Sequence, residues 1–79
     1  MIKGRLCYIA REDRFFVIDD KNNDYCALHC GNVLEIYVYG QWRKTSIEGW
    51  GPPGIEAWYL VGTRFQGMSM QGLPARIGF

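Results

Sequence analysis

Two cysteines and a histidine lie close together in the sequence, at Cys26, His29 and Cys30. Thiolates and imidazoles are good zinc ligands, and a thiol beside an imidazole can also act as a nucleophile with its base. A structural zinc site needs four ligands, however, and Cys7 is the one cysteine that remains. The spacing also departs from zinc patterns. We keep these three residues as a weak candidate for a thiol or metal site, and we expect no cofactor.

Catalysis by Cys30 would need more than its neighbour His29. Adjacent residues on a strand point to opposite faces, so a dyad requires a turn, which Gly31 and Asn32 could form. A group that orients the imidazole and donors for an oxyanion are also needed, and no motif supplies them. The alternative is a half-buried histidine bonded to a backbone carbonyl, beside cysteines that pack as small apolar residues. We predict that the chain is not an enzyme.

Aromatic residues form the second candidate site. The 79 residues include 3 Trp, 5 Tyr and 4 Phe. A group of rings with one cation consists of Tyr37, Tyr39, Trp42, Lys44 and Trp50. Rings on an open sheet surface can stack on bases or on proline-rich peptides, and a neighbouring cation suits phosphate or carboxylate. The alternative is a second small core beneath a loop, because cross-strand aromatic pairs stabilise a sheet without a ligand.

The hairpin that positions these rings runs from residue 33 to residue 48. Apolar and polar residues alternate on both sides of Gly40-Gln41, and a Gly-X pair suits a two-residue type II′ turn. This turn predicts that Tyr39 pairs with Trp42 and that Val38 pairs with Arg43. The face predicted to lie in the core carries Leu34, Ile36, Val38, Thr45 and Ile47. The opposite face carries Tyr37, Tyr39, Trp42 and Lys44, and Trp50 in the next loop could form its rim.

The rest of the chain is typical of short strands separated by turns. Strands are predicted at residues 5–9, 14–18, 25–29, 33–39, 42–48, 56–61 and 75–77. The polar segment 19–24 is predicted as a solvated turn, the Pro52-Pro53 segment as a loop, and residues 65–72 as a loop or one 3₁₀ turn. We predict one all-β domain over residues 1–79, either a small SH3-like barrel or a curled antiparallel sheet of five to seven short strands.

Charge and hydropathy limit the function further. Nine Lys and Arg stand against eight Asp and Glu, for a net charge of +1, and the basic residues form no run. Nucleic acid is therefore weakly supported as a partner. Residues 1–5 lack the apolar stretch of an export signal, and no segment reaches the ~20 apolar residues of a membrane span. We expect a cytoplasmic protein with no membrane partner and with reduced cysteines.

Seven short motifs, spread over nearly the whole chain, occur in a characteristic order. They are Lys3-Gly4-Arg5-Leu6, Leu28-His29-Cys30-Gly31, Leu34-Glu35-Ile36, Gly40-x-Trp42, Ile47-Glu48, Trp58-Tyr59-Leu60-Val61-Gly62 and Gly72-Leu73-x-Ala75-Arg76-Ile77. This pattern resembles a family of very small uncharacterised bacterial domains, found mainly in Gram-positive bacteria and their mobile elements. The resemblance implies an all-β, free-standing intracellular protein. The family's function is unknown, so it assigns no site residue, and Cys26 and the Gly51–Gly54 loop depart from the pattern.

Three hypotheses of function follow. The first is a non-enzymatic interaction module that binds a protein partner, or a second copy of itself, through an aromatic face made of Tyr37, Tyr39, Trp42, Lys44 and Trp50. The second is a single-stranded nucleic-acid-binding protein that uses the same rings with Lys44, Arg43 and Arg64. The third is the thiol or metal site at Cys26, His29 and Cys30.

Overall fold

The computed structural model describes residues 1–21 and 24–78. It contains seven strands: β1 (Ile2–Ile9), β2 (Arg14–Asp19), β3 (Tyr25–Ala27), β4 (Val33–Val38), β5 (Gln41–Gly49), β6 (Trp58–Leu60) and β7 (Pro74–Ile77). Two single-turn 3₁₀ helices cover Ile55–Ala57 and Gly67–Met70. Within the described residues no helix is long and apolar enough to cross a membrane.

The seven strands form one antiparallel sheet in the order β3-β2-β1-β7-β4-β5-β6. The last strand, β7, lies between β1 and β4 and so joins the amino-terminal hairpin to the central one. In the part of the chain that the structure describes, the edge strands β3 and β6 each pair with one neighbouring strand and not with each other, so the sheet is not closed. The all-β prediction is confirmed, in its form as a curled sheet rather than a barrel.

Most predicted elements are present with shifted ends. β1 and β2 form the expected hairpin, in which Ile9 pairs with Arg14. The predicted strand 56–61 starts late, because the chain first makes a 3₁₀ turn at Ile55–Ala57 after the proline loop. The 3₁₀ turn predicted within residues 65–72 is confirmed at Gly67–Met70. The polar turn 19–24 includes Asn22 and Asn23, which lie outside the described residues.

The central hairpin turns one residue earlier than its sequence suggests. Tyr39 and Gly40 occupy the turn, with φ of 53° and 79°. Two successive residues with positive φ make a type I′ turn, whose twist matches that of the flanking strands. Val38 therefore pairs with Gln41, and Tyr37 pairs with Trp42. The predicted pairing of Tyr39 with Trp42 is wrong.

The two faces of the hairpin are nevertheless those predicted. Moving the turn by one residue moves the partner of Val38 by two positions, from Arg43 to Gln41. Because side chains alternate with a period of two, a shift by two leaves every residue of the two strands on its original face. Tyr39, which is now in the turn, is the exception. Leu34, Ile36 and Ile47 are 0% exposed, which confirms that the aliphatic face lies in the core.

The core fills the concave side of the curled sheet. Its fully buried side chains come from most strands and from two connecting segments, and the largest are Phe15, Leu6, Leu28, Leu34, Ile36, Ile47, Leu60, Met70 and Val17. Burial of one such side chain contributes roughly 1.5–3 kcal/mol. The strands β1 and β2 approach so closely at Gly4 that a Cβ there would lie 1.8 Å from the Ile18 carbonyl oxygen. The sheet therefore requires glycine at this position.

Candidate binding face on the outer side of the sheet

The convex side of the sheet carries the side chains that alternate with the core residues. The register of β1, β7, β4 and β5 places Lys3, Arg76, Glu35 and Lys44 in one row across four strands. Lys3 and Lys44 are exposed, whereas Glu35 and Arg76 are half-buried. The insertion of β7 between β1 and β4 thus brings charges from both ends of the chain to the central hairpin.

Trp42 lies at the centre of this surface. The rings of Tyr37 and Trp42 meet edge to face, with centroids 5.3 Å apart and planes inclined at 67°. The Arg76 guanidinium lies 4.1 Å from the centroid of the Trp42 ring, and the Lys3 ammonium lies 5.8 Å from it. Both distances fall within the ~6 Å over which a cation is attracted to an aromatic face. We call Lys3, Glu35, Tyr37, Trp42, Lys44 and Arg76 the Trp42 cluster.

An ion pair holds the arginine of this cluster in place. Arg76 Nε donates to Glu35 Oε1 at 2.7 Å, and the two side chains are 26% and 19% exposed. The nearby pair of Arg5 and Asp20 is longer, at 3.8 Å, and far more exposed, so it contributes little. Because Glu35 and Arg76 neutralise each other in this ion pair, the remaining charges of the Trp42 cluster are those of Lys3 and Lys44. The cluster is therefore aromatic with a positive rim.

The predicted site residues Tyr37, Trp42 and Lys44 come together here. Tyr37 is 44% exposed, Lys44 is exposed and Trp42 is half-buried. Tyr37 thus presents its ring to solvent while Trp42 supports it from one side.

Tyr39 lies apart from these residues because it belongs to the turn. Its ring is 68% exposed, lies 6.5 Å from the Phe65 ring and has the Arg43 guanidinium 5.9 Å from its centroid. Arg43 follows Trp42 on β5 and so points to the opposite side of the sheet. The single aromatic face of the prediction is therefore divided into two separate groups.

Trp50 is also distant from Trp42. It follows the carboxyl end of β5, about 25 Å of extended strand away, since a strand rises about 3.3 Å per residue. Its ring is 70% exposed and lines a shallow pocket with Cys30, Pro52 and Pro53. Trp50 does not rim the Trp42 cluster.

Asp13 anchors the loop that carries Trp50. Its Oδ1 accepts hydrogen bonds from the Tyr8 hydroxyl and, at 3.0 Å, from the Gly54 amide. The Tyr8 hydroxyl, followed by the Gly54 amide, lowers the pKa of Asp13, and the same bond from Tyr8 raises the pKa of that tyrosine. The carboxylate is thus kept ionised as a tie between the first hairpin and the proline loop.

The residues Cys26, His29 and Cys30 point to different partners. His29 Nδ1 lies 2.6 Å from a guanidinium nitrogen of Arg14. Since arginine only donates, His29 Nδ1 accepts this hydrogen bond. The Cys26 thiol donates to the Ala27 carbonyl at 3.5 Å, and the Cys30 thiol faces the Gly49 carbonyl at 4.0 Å. Among residues 1–21 and 24–78, no three Cys, His, Asp or Glu side chains are grouped to hold a metal ion. The structure thus does not bring Cys26, His29 and Cys30 together into one site.

Sequence reasoning missed Lys3, Glu35 and Arg76 as members of the candidate site. The alternation along each strand does mark them as outward residues, beside the buried Gly4, Leu34 and Ala75. It does not show that β7 lies between β1 and β4, and only that order places two cations against the Trp42 ring.

These features define a small all-β domain built on one open, curled sheet with an aromatic and cationic outer face. A family described as a domain of unknown function (DUF5348) matches residues 4–77. The chain therefore belongs to this family, and the predicted resemblance to a family of small uncharacterised domains is confirmed. Comparison with curated proteins and with solved structures found no match.

Proposed function

We propose that this domain is a non-enzymatic interaction module of the bacterial cytoplasm, and that the Trp42 cluster binds a protein partner. The observation that carries the proposal is the Tyr37 ring, which is 44% exposed while it packs against Trp42. A large ring that is held rigid and still faces solvent loses little conformational freedom on binding. Such residues supply much of the binding energy at protein interfaces.

The charges around the rings define the chemistry of the partner. Within the described residues the ion pairs are Arg5 with Asp20 and Arg76 with Glu35, which leaves Lys3 and Lys44 for an external anion. The best fit is a segment with an apolar or proline anchor flanked by Asp or Glu. The anchor would cover Tyr37, and the carboxylates would meet the two lysines.

Selection of displayed peptides on the purified domain tests this proposal. We expect enriched peptides to combine an aromatic or proline anchor with acidic residues. Binding should weaken about 30-fold or more in Tyr37→Ala, because truncation of a hot-spot aromatic residue costs about 2 kcal/mol or more and each 1.4 kcal/mol is about tenfold in affinity. Tyr39→Ala removes a tyrosine ring of the other group, which is even more exposed at 68%, and is the matched control. Equal losses of affinity in both variants, or selected peptides whose affinity does not change in Tyr37→Ala, would overturn the assignment. A change in oligomeric state with Tyr37→Ala would identify the partner as a second copy.

Single-stranded nucleic acid is a second candidate, favoured by the placement of Arg76 and Lys3 against the Trp42 ring. Rings with adjacent cations on an open sheet bind single strands by stacking and by phosphate contacts. Of the cations first considered, Lys44 belongs to the Trp42 cluster, whereas Arg43 lies on the other side of β5. Titration with mixed oligonucleotides at low salt should quench the tryptophan fluorescence of the domain and give affinity that falls steeply with salt. Absence of affinity at low salt would remove this candidate.

A further inference from the structure

The edge strand β3 presents part of its backbone to solvent. Its pairing with β2 uses residues 24, 26 and 28, as shown by the bonds from Asp19 N to Asp24 O and from Leu28 N to Phe15 O. The amide and carbonyl groups of Tyr25 and Ala27 therefore point away from the sheet. The Tyr25 amide is bonded to the adjacent Asp24 carboxylate at 2.9 Å, a local contact that can be exchanged.

Apolar side chains lie beside this exposed edge on the outer side of the sheet. The Phe16 and Tyr25 rings are 6.0 Å apart, and Tyr25 is 69% exposed. Ile9, Ile18 and Ala27 line the same shallow depression. An added strand would therefore cover apolar surface as well as complete the backbone ladder, which is the pattern of β-strand addition.

The charges along β3 change sign from one end to the other. Asp19, Asp20 and Asp24 with Lys21 surround its amino-terminal end. Arg11 and Arg14 with Glu12 surround its carboxyl-terminal end, where Arg14 donates to the Leu28 carbonyl at 3.2 Å. A second β3 in antiparallel orientation brings each acidic end against a basic end. This surface is therefore complementary to itself.

We infer that two copies of this chain associate by antiparallel pairing of their β3 strands, about a twofold axis at Cys26. Tyr25 of each copy pairs with Ala27 of the other and exchanges both backbone hydrogen bonds with it. The Asp24 carboxylate releases the Tyr25 amide and meets the arginines of the other copy. This interface involves none of the Trp42 cluster and is independent of the proposed function.

The oligomeric state of an Ala27→Pro variant tests the inference. Proline lacks the outward amide that the second copy needs, yet edge strands accommodate it because β2 does not use that amide. Sedimentation should show concentration-dependent dimers for the wild type and for the matched control Ala27→Ser, and monomers for Ala27→Pro. A monomeric wild type at all concentrations, or a dimer unaffected by the proline, would overturn the inference.

A second variant covers the case in which Ala27→Pro does not fold. Asp24→Arg changes an exposed side chain and places a cation against the arginines of the other copy at both ends of the interface. We expect it to abolish dimers in sedimentation, and Arg11→Asp in the same chain to restore them. Association that is indifferent to these charges would contradict the antiparallel arrangement.

Oxidation supplies an independent measure of the register. The twofold axis makes Cys26 and its counterpart a non-hydrogen-bonded pair with Cα atoms about 4.5 Å apart, within the range of disulfides. Diamide accepts the two electrons and two protons released when two thiols join. We expect Cys7→Ser with Cys30→Ser to give a covalent dimer and Cys26→Ser to give none. A cross-link that forms through Cys7 or Cys30 instead would exclude this register.

Discussion

At one edge of the sheet β6 is covered by the chain that follows it, whereas at the other edge β3 faces solvent. The Leu60 amide donates to the Phe65 carbonyl at 3.1 Å, and Thr63 donates to the Leu60 carbonyl through its amide and its hydroxyl. Tyr59 also bridges to Gln66. The outward backbone groups of Leu60 are thereby satisfied by the chain that follows β6. Within the described residues, the outward Tyr25 amide and Ala27 carbonyl of β3 are instead bonded to the side chains of the adjacent residues Asp24 and Cys26.

Contacts from distant residues secure the cover over β6. The Glu56 carboxylate accepts the Met68 amide at 3.1 Å, and the Gln66 side chain donates to the Glu56 carbonyl at 3.1 Å. Met70, at the end of the second 3₁₀ turn, is 0% exposed. Covering β6 is thus part of building the core.

This difference explains how a small sheet can protect one edge and use the other. Exposed edges invite pairing with other chains, and covering one of them limits where such pairing occurs. Because the cover over β6 contributes to the core, its disruption should cost stability. Because β3 relies on local contacts, changes there should affect association more than folding.

Leu60→Ala should have the largest effect on the free energy of unfolding. Leu60 is the last residue of β6 and is 1% exposed. Truncation of a buried leucine costs about 2–5 kcal/mol, which a small domain can scarcely tolerate. Urea denaturation followed by Trp fluorescence measures the loss. A loss below about 1 kcal/mol would show that β6 is not integral to the core.

Gly67→Ala should be the next most disruptive change. Gly67 has φ of 58°, and a Cβ there would lie 2.1 Å from a Glu56 carboxylate oxygen. Gly62→Ala is the matched control, since Gly62 has φ of 74° with open space around it. A left-handed alanine costs roughly 1–2 kcal/mol at either position, and Gly67→Ala should lose more because Glu56 must move. Equal losses in denaturation would mean that Glu56 does not hold the cover.

The tie at Asp13 should produce a smaller effect that depends on pH. The lowered pKa of Asp13 means that its stabilisation is complete above the ordinary value of 3.8 and is lost as pH falls below it. The raised pKa of Tyr8 means that its stabilisation is complete below 10.0 and is lost as pH rises further. When the urea midpoint is plotted against pH, Tyr8→Phe should reduce both the fall at acidic pH and the fall at alkaline pH. An unchanged pH dependence in that variant would contradict the hydrogen bond between Tyr8 and Asp13.

Tyr25→Ala should have the smallest effect on stability. The ring is 69% exposed, and surface substitutions usually change stability by less than about 0.5 kcal/mol. Its denaturation curve should overlay that of the wild type under conditions where both are monomeric. A loss as large as that of Leu60→Ala would mean that the two edges are equally integral to the core.

Local patterns predict the elements of this protein well. The alternation from Leu34 to Ile47 assigns both faces of the central hairpin, and this assignment does not change when the turn moves from Gly40-Gln41 to Tyr39-Gly40. The turn itself was predicted wrongly because a tyrosine with positive φ is uncommon. Only the match between a type I′ turn and strand twist makes it favourable here.

The Trp42 cluster, in contrast, could be predicted only in part. Tyr37, Trp42 and Lys44 are neighbours on one hairpin, so their spacing suffices to group them. Tyr39 and Trp50 are close to them in the chain, but the Tyr39 ring lies near Phe65 and Arg43 instead, and Trp50 follows the far end of β5.

Residue order alone is enough to place the strands and the buried side of each strand, and to place the central turn to within one residue, because these depend on backbone preferences and on alternation over a few neighbours. The folded arrangement decides which strands lie side by side, since that choice rests on contacts between residues far apart in the chain. Lys3 and Arg76 illustrate the point: β7 joins the sheet between β1 and β4, and this brings both cations to Trp42.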